Sequence, residues 1–339
     1  MNARRAGAAV AYLRLSRMMG RRHRPGGVIA TIAGTVALAV VVGACGGAAT
    51  TAPATPTPIA TSSTGVAPVD SGPPIKVVGT ENFYADLLAQ IGGSRVTVKS
   101  ILDDPNADPH EFESSPGDAA LVADARLVIV NGLGYDDFMQ KLLGASSGDA
   151  RTVIDVQQLL GLADDVNVHV WYDPTTMPRV AEAAAQALGT IDPPNAAYFA
   201  ARKADYLAAL APIGARIAAL KAQYSGTPIA FTEDVAGYLT DEIGLVVKTP
   251  VGFMKAIEEG VDPAPVDVAA QQDLFTTKAV KVLMYNSQVT SPTTQRIHDL
   301  ATANGIAVVG VAETIPASYP TYQAWQLGQL DDLARALGD

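Results

Sequence analysis

Four side chains of this sequence are of types that bind first-row divalent metal ions, and each stands at a loop or strand-end signal: His110, His169, Glu233 and Glu313. His110 follows a proline, which has no N–H and keeps the preceding residue out of the helical region, so we expect its imidazole on a stiff loop. Glu233 and Glu313 each follow a β-branched run, and α/β proteins place their ligands where such strands end. Two imidazoles and two carboxylates can bind Zn²⁺ in a four-coordinate site, or Mn²⁺ with more oxygen contacts.

The residue types alone leave other interpretations open. A single histidine is more often a surface or core residue than a metal ligand. Glu233 and its neighbour Asp234 precede a predicted helix, where acidic residues are also favoured as caps. Glu313 can bind an ion through one oxygen, bind through two, or cap the following turn.

The rest of the chain alternates short β-branched runs with amphipathic stretches. This alternation predicts parallel sheets in an α/β fold. Strands are predicted at 75–80, 96–102, 126–132, 228–233, 245–250, 280–286 and 306–313, and a closing helix at 318–337.

A long helix is predicted between the two groups of strands. The segment 195–223 is rich in Ala, Leu, Lys and Arg, and its apolar residues recur near helical spacing. A helix of about 29 residues spans roughly 43 Å, which suits a rigid connection between two lobes, although an ordinary long surface helix is the alternative. The predicted fold class is therefore α/β, with two lobes, each a mostly parallel sheet flanked by helices, joined by this helix.

The N-terminal region has the pattern of a secretory signal. Residues 1–27 are rich in Arg, and the apolar run 28–44 ends in small residues before Cys45. Cys45 is the only cysteine, so it cannot form an internal disulfide. A retained single-pass helix is the alternative, but 17 apolar residues are at the short limit of a membrane span. Translation can also start at Met18 or Met19, which leaves a shorter signal.

A tether follows the signal, and the body is acidic. Residues 46–74 are mostly Thr, Ala and Pro, which predicts a disordered linker of about 29 residues with a reach of roughly 30 Å. The whole chain has a formal net charge of −10, which argues against nucleic-acid binding and is compatible with attracting cations. The acidic stretch 103–113 around His110 either concentrates cations or is only a solvated loop. We expect these segments: 1–44 signal peptide, 45–74 anchor and tether, 75–192 N-terminal lobe, 193–224 linking helix, 225–339 C-terminal lobe.

Four segments of the body resemble the ligand segments of the zinc- and manganese-binding receptors of bacterial ABC importers: DPHEFE, NVHVWYDP, TEDVAGYL and GVAETIP. The resemblance extends over 75–339. Three positions depart from the usual pattern. Val168 stands where the family usually has Pro, Glu233 where it often has His, and Glu313 where it usually has Asp. The first departure removes a loop stiffener, and the second is similar to the manganese-type receptors.

The resemblance implies a metal site between the lobes with His110, His169, Glu233 and Glu313 as its ligands. It implies Zn²⁺ or Mn²⁺ as the transported ligand, with a slight preference for Mn²⁺, and no organic cofactor. The VGAC sequence resembles a lipobox, which implies lipid on Cys45 and an extracytoplasmic location at the cell membrane. An ABC permease is the implied partner, the protein is expected to be a monomer, and no enzymatic activity is expected.

Two alternative functions are a metallohydrolase and a surface adhesin. A metallohydrolase needs an open metal position and a general base beside the bound water, and the sequence has no HExxH pair, GxSxG elbow or Walker loop. A surface adhesin with the same fold is the second alternative, since lipoproteins of this family have been described as adhesins. An adhesive surface would be a large exposed apolar patch, which the sequence does not reveal.

Overall fold

The computed structural model describes residues 65–104, 109, 112–145 and 151–338. The predicted signal, Cys45, most of the tether and His110 lie outside the described residues. All described residues fall within one compact unit.

Two parallel four-stranded sheets form the frame of the molecule, as the sequence predicts. The strands are β1 (Ile75–Glu81), β2 (Val96–Leu102), β3 (Leu127–Val130), β4 (Thr152–Asp155), β5 (Pro228–Phe231), β6 (Val246–Val247), β7 (Val282–Asn286) and β8 (Ala307–Val311). The first sheet has the order β2-β1-β3-β4 and the second the order β6-β5-β7-β8. The sequence pattern did not predict β4, an edge strand in which only Ile154 is buried.

Helices connect the strands and cover the sheets. The apolar run of β3 is buried at all four positions, as expected for a parallel strand covered on both faces. The helices are α1 (Asn82–Gly92), α2 (Pro116–Asp124), α3 (Phe138–Ala145), α4 (Val156–Leu160), α5 (Thr176–Ile191), α6 (Ala196–Tyr224), α7 (Gly237–Ile243), α8 (Val251–Glu258), α9 (Pro265–Thr276), α10 (Pro292–Ala303) and α11 (Tyr322–Leu337).

The long helix predicted at 195–223 is α6, with 29 residues. It packs on α1 and α5 beside the first sheet and on α7 and α11 beside the second. Its buried residues Tyr206, Ile213, Ile217 and Leu220 carry the helical spacing seen in the sequence. α6 therefore contacts both halves of the molecule along its length.

Pro212 lies in the interior of α6, although a proline there leaves the carbonyl of Ala208 without its helical donor. We expect Pro212→Ala to raise the free energy of unfolding by about 2 kcal/mol. The helix gains about 3 kcal/mol, and the greater freedom of the unfolded chain offsets about 1 kcal/mol. Chemical denaturation of the full-length chain measures the change.

The control for this prediction is Pro292→Ala. Pro292 is at the first position of α10, where a proline needs no partner for its nitrogen and its fixed φ favours the helix. This variant should not be stabilised. Equal effects at both positions would show that the helix interior around Pro212 is not under strain.

Candidate metal centre

Three of the four predicted ligands converge where the strands of the second sheet end. Glu233 lies two residues after β5, Glu313 lies two residues after β8, and His169 precedes a short 3-10 turn at Val170–Tyr172. All three side chains are fully buried. The carboxyl ends of parallel strands and a loop of the first half thus supply one cluster of metal-binding groups.

The distances within this cluster suit a bound divalent ion. His169 Nε2 lies 3.3 Å from Glu313 Oε2 and 3.9 Å from Glu233 Oε1. One nitrogen or oxygen of each residue lies within 4.8 Å of those of the others. Two atoms that each bind a tetrahedral ion at about 2.1 Å are about 3.4 Å apart, so a small closure would bring all three into range.

The cluster concentrates negative charge in a buried space. Burial alone lowers the pKa of His169, but the hydrogen bond and charge of Glu313, together with the charge of Glu233, raise that pKa above its ordinary value. The carboxylates therefore favour a positive charge between them. A proton on His169 or a divalent ion meets that need.

Asn286, the last residue of β7, holds the two carboxylates together. Its Nδ2 donates to Glu233 Oε2 at 2.6 Å and to Glu313 Oε1 at 2.8 Å. Tyr135 Oη donates to Glu313 Oε2 at 3.0 Å. These neutral donors fix the carboxylates without cancelling their charge.

Asn167 orients the imidazole of His169. Its Oδ1 lies 2.8 Å from His169 Nδ1 and accepts from the backbone N–H of His169 at 2.9 Å. An Nδ1–H donor leaves the lone pair of Nε2 facing the carboxylates, which is the usual arrangement for a metal-binding histidine. Asn167 Nδ2 also donates to the carbonyl of Asp234, and Tyr238 Oη donates to the carbonyl of Asn167. The two ligand segments are thus fixed relative to each other.

Helix capping does not account for the two glutamates. Helix α7 begins after Ala236 without a side-chain cap. The helix that follows Glu313 is α11, which Thr321 caps. The backbone N–H of Glu313 instead donates to Gln288 Oε1 at 2.5 Å. Both glutamate side chains lie in the cluster.

Two described residues that flank His110 in the sequence lie near Thr314. Pro109 and Phe112, on either side of His110, line a cavity together with Thr314, the residue after Glu313. His110 itself lies outside the described residues, so its place as the fourth ligand stays a prediction. Asp234, the neighbour of Glu233, is not in the cluster.

An open acidic cleft of about 550 Å³ lies beside the site. Tyr135 and Asn167 line it, and both contact the predicted ligands. Its acidic lining residues are Asp164, Asp165, Asp234, Glu258 and Glu259. Such a lining raises the local concentration of cations.

Asp136, beside the site, should make the stability of the metal-free protein depend on pH. Its carboxylate accepts from the N–H groups of Asn131 and Gly132, both at 2.8 Å, but burial raises its pKa from 3.8 to about 6. Between these values the folded state holds a proton that the unfolded state has lost. The contribution of Asp136 therefore falls by about 3 kcal/mol as the pH rises from about 4 to above 6.

The measurement is the difference in unfolding free energy between the wild type and Asp136→Asn, taken by denaturant titration at several pH values without metal. The wild type should lose stability relative to the variant as the pH rises through this window. Asp137→Asn, at the exposed neighbouring position, is the control and should show no such trend. A constant difference for Asp136→Asn would contradict the raised pKa.

Within the residues that the structure describes, no helix has the length and apolarity needed to span a bilayer. The predicted apolar run 28–44 lies outside that part of the chain.

Fold and site together define an α/β protein of two lobes with a buried cluster of metal-binding groups. The sequence profile of the zinc-uptake complex component A, a periplasmic protein, matches residues 77–336. The chain belongs to this family. Its members are solute-binding proteins of metal ABC transporters and not enzymes, as the sequence analysis expected.

Curated relatives carry names of metal-binding proteins. The manganese-binding lipoprotein MntA of Halalkalibacterium halodurans is 31% identical over 141 residues, which are 41% of this chain and 47% of that protein. The zinc-binding protein TroA of Treponema pallidum is 24% identical over 240 residues, 68% of this chain and 76% of TroA. The matched region thus spans about half of MntA and three quarters of TroA.

Solved structures share the fold. The periplasmic zinc-binding protein TroA from Treponema pallidum superposes with a TM-score of 0.66 and 22% identity, covering 79% of this chain and 100% of TroA. The solute-binding protein (SBP) FpvC from Pseudomonas aeruginosa, in complex with Mn²⁺, superposes with a TM-score of 0.65 and 22% identity. The match covers 78% of this chain and 98% of FpvC. These similarities confirm the predicted fold class.

Proposed function

We propose that this protein is an extracytoplasmic receptor that captures Mn²⁺ or Zn²⁺ between its two lobes and delivers it to an ABC permease. The observation that carries the proposal is the convergence of His169, Glu233 and Glu313 in one fully buried cluster. His110, which follows Pro109 in the sequence, completes the set as the fourth ligand in this proposal. The transported ion is the substrate of this protein.

A bound ion would remove the main electrostatic cost of the site. Two carboxylates buried side by side are unfavourable unless a positive charge lies between them. The ion supplies that charge and is held by groups from both halves of the chain. Tight capture with little exposure to solvent follows from this arrangement.

The oxygen donors of the site suit Mn²⁺, but they do not by themselves make Mn²⁺ bind more tightly than Zn²⁺. Carboxylate and amide oxygens are the donors that suit Mn²⁺, and each glutamate can bind through one oxygen or two. Zn²⁺ binds a given site more tightly by the Irving–Williams order, so the geometry must provide the selectivity. The MntA relative, named as manganese-binding, supports the manganese assignment.

In this proposal the N-terminal region determines where in the cell the protein acts. Cys45 carries lipid and anchors the protein to the outer side of the cell membrane, and residues 46–74 form the tether. The lobes extend over 75–192 and 225–339, with the linking helix at 193–224. A relative from Streptococcus pneumoniae is named a manganese ABC transporter substrate-binding lipoprotein, which supports both the anchor and the permease partner. One copy of the chain holds the whole predicted ligand set, so the receptor is expected to act as a monomer.

The experiment is a competition between Mn²⁺ and Zn²⁺ on the metal-stripped full-length chain, with bound metals counted by mass spectrometry. The wild type should retain Mn²⁺ in buffered Zn²⁺, and Glu233→His should shift the preference to Zn²⁺, since a third imidazole replaces an oxygen donor. Glu242→His, on the exposed face of α7, is the matched control and should leave the preference unchanged.

The outcomes separate the parts of the proposal. If the wild type binds only Zn²⁺ and the Glu233→His variant has the same preference, the protein is a zinc receptor. Glu233 is then not one of its ligands. A wild type that binds neither ion stoichiometrically would remove the receptor function itself.

A further inference from the structure

The two sheets repeat one topology. The order β2-β1-β3-β4 of the first sheet corresponds strand by strand to the order β6-β5-β7-β8 of the second. Strand β1 is therefore the counterpart of β5, and β3 is the counterpart of β7. The second pair carries part of the candidate metal centre, so the first pair is the place to look for a matching group.

The pairing register extends the correspondence to single residues. Gly79 pairs with Ile129 at the end of the β1 ladder, and Phe231 pairs with Met284 at the end of the β5 ladder. Two residues further along each strand, the chain has Glu81 and Asn131 in the first half, and Glu233 and Asn286 in the second.

The residue before each glutamate is also the same. Thr80 precedes Glu81, and Thr232 precedes Glu233. The hydroxyl of Thr80 donates to the carbonyl of Ile129 on β3, and the hydroxyl of Thr232 accepts from the N–H of Asn286 on β7. A Thr-Glu pair beside an Asn thus ends the central strands of both sheets.

The two glutamates differ in their hydrogen bonds. Glu233 accepts from the side chain of Asn286. In the first half, the amide of Asn131 donates instead to the carbonyls of Val168 and Gly132. Glu81 is fully buried, and among the residues that the structure describes its carboxylate oxygens have no hydrogen-bond partner on another residue. Burial, followed by the charge of Asp136, raises the pKa of Glu81 well above its ordinary value.

Such a group costs folding free energy and stabilises nothing in the metal-free protein. A buried carboxyl is normally hydrogen-bonded or paired with a cation. A buried carboxyl without such a partner is therefore suited to bind a cation.

Contacts of the two residues that follow Glu81 place this part of the chain next to the candidate metal centre. The next residue, Asn82, exchanges two hydrogen bonds with the backbone of Ile315, two residues after Glu313. The ring of Phe83 stacks on Trp171 at 4.6 Å, and Trp171 lies 5.2 Å from the imidazole of His169.

We propose that Glu81 is a further carboxylate of the metal centre, the first-half counterpart of Glu233, and that it binds the captured divalent ion. This inference rests on the proposed receptor function. Glu81 is outside the group of atoms that lie within 4.8 Å of one another, so it reaches the ion by a side-chain rotation or through one bridging water. A third carboxylate adds oxygen donors and so favours Mn²⁺ over Zn²⁺.

The test uses the full-length chain with Mn²⁺ as the probe. Glu81→Gln keeps the shape and removes the charge, and Glu81→Met also removes the buried polar atoms. Both variants should bind Mn²⁺ at least about 10- to 100-fold more weakly than the wild type, since removing a residue that only supports a metal ligand already costs this much. The metal-free Glu81→Met chain should melt at the same or a higher temperature, since an unpartnered carboxyl has been replaced by an apolar group.

A matched control comes from α11. Gln326 is also buried and has an unpartnered amide nitrogen, so Gln326→Met should leave the affinity for Mn²⁺ unchanged. The electron paramagnetic resonance spectrum of bound Mn²⁺ is the second readout. It should differ between the wild type and Glu81→Gln, because a change in the ligand or its bridging water alters the symmetry at the ion.

The outcomes distinguish this inference from the receptor function. Wild-type binding of one Mn²⁺ with unchanged affinity and an unchanged spectrum in both Glu81 variants would overturn the role of Glu81 and leave the receptor intact. A large drop in the melting temperature of metal-free Glu81→Met, with an unchanged spectrum for Glu81→Gln, would make Glu81 a structural residue. A wild type that binds no Mn²⁺ would remove the receptor function and this inference together.

Discussion

Replacing His169 with alanine should abolish tight binding of both Mn²⁺ and Zn²⁺, with a loss of affinity of more than about 100-fold. Removing a residue that only supports a metal ligand already costs about 10- to 100-fold, and His169 is itself a proposed ligand. Its Nε2 is the nitrogen that faces both Glu313 and Glu233. A calorimetric titration of the metal-stripped full-length chain with Mn²⁺, and another with Zn²⁺, measures the change in affinity.

The matched control is His298→Ala. His298 lies on α10 beside Asp299, and its side chain is 35% exposed, so it should have no effect on metal binding. The alanine at position 169 also leaves a cavity in the core. Circular dichroism of both variants separates lost binding from lost folding. Wild-type affinity in a folded His169→Ala chain would rule out the imidazole as a ligand.

Saturating Mn²⁺ should raise the melting temperature of the wild type by about 8 °C. An ion present at about 1,000 times its dissociation constant stabilises the folded state by about 4 kcal/mol, and a chain of this size gains roughly 2 °C for each kcal/mol. The stabilisation arises because the ion binds the folded cluster and not the unfolded chain. Differential scanning calorimetry with Mn²⁺, and again after addition of a chelator, measures the shift and its reversal.

Glu313→Gln is the variant that tests the origin of this shift. It keeps a side chain of the same size next to Tyr135 and Asn286 but removes one buried charge. The shift should disappear in Glu313→Gln and persist in Glu242→Gln, where the exposed glutamate only pairs with Lys221. A full shift in Glu313→Gln would mean that Mn²⁺ stabilises the protein from another place.

The uncharged residues around the site matter for both results. Asn286, Tyr135 and Asn167 hold three of the proposed ligands through neutral donors and acceptors, so these side chains need only small movements to bind an ion. A prebuilt site loses little conformational entropy on binding, which supports tight capture. The negative charge that remains is then available to the ion.

Several features of the fold follow from sequence pattern alone. β-branched runs alternating with amphipathic stretches are the local signature of parallel α/β sheets, and local preferences of this kind do not depend on distant parts of the chain. For the same reason the helical spacing in 195–223 predicted α6, although Pro212, which the pattern does not take into account, lies within it. Packing against helices on both sides stabilises α6 enough to tolerate that proline. The pattern did not predict strand β4, which lies at the edge of its sheet and buries only Ile154.

The sequence by itself determined the family, the α/β class and three residues that come together, since a carboxylate at the end of a strand is a local feature with a predictable place. Only the tertiary structure decided that His169 and Glu313, 144 positions apart, lie 3.3 Å from each other. It also revealed the contacts of Asn286 and Tyr135, for which the sequence has no local signal. Glu81 ends a predicted strand as a local feature, but only the structure shows that its carboxylate is buried without a partner among the described residues. Hydrogen-bond partners and desolvation depend on which distant segments meet, and sequence spacing does not contain that information.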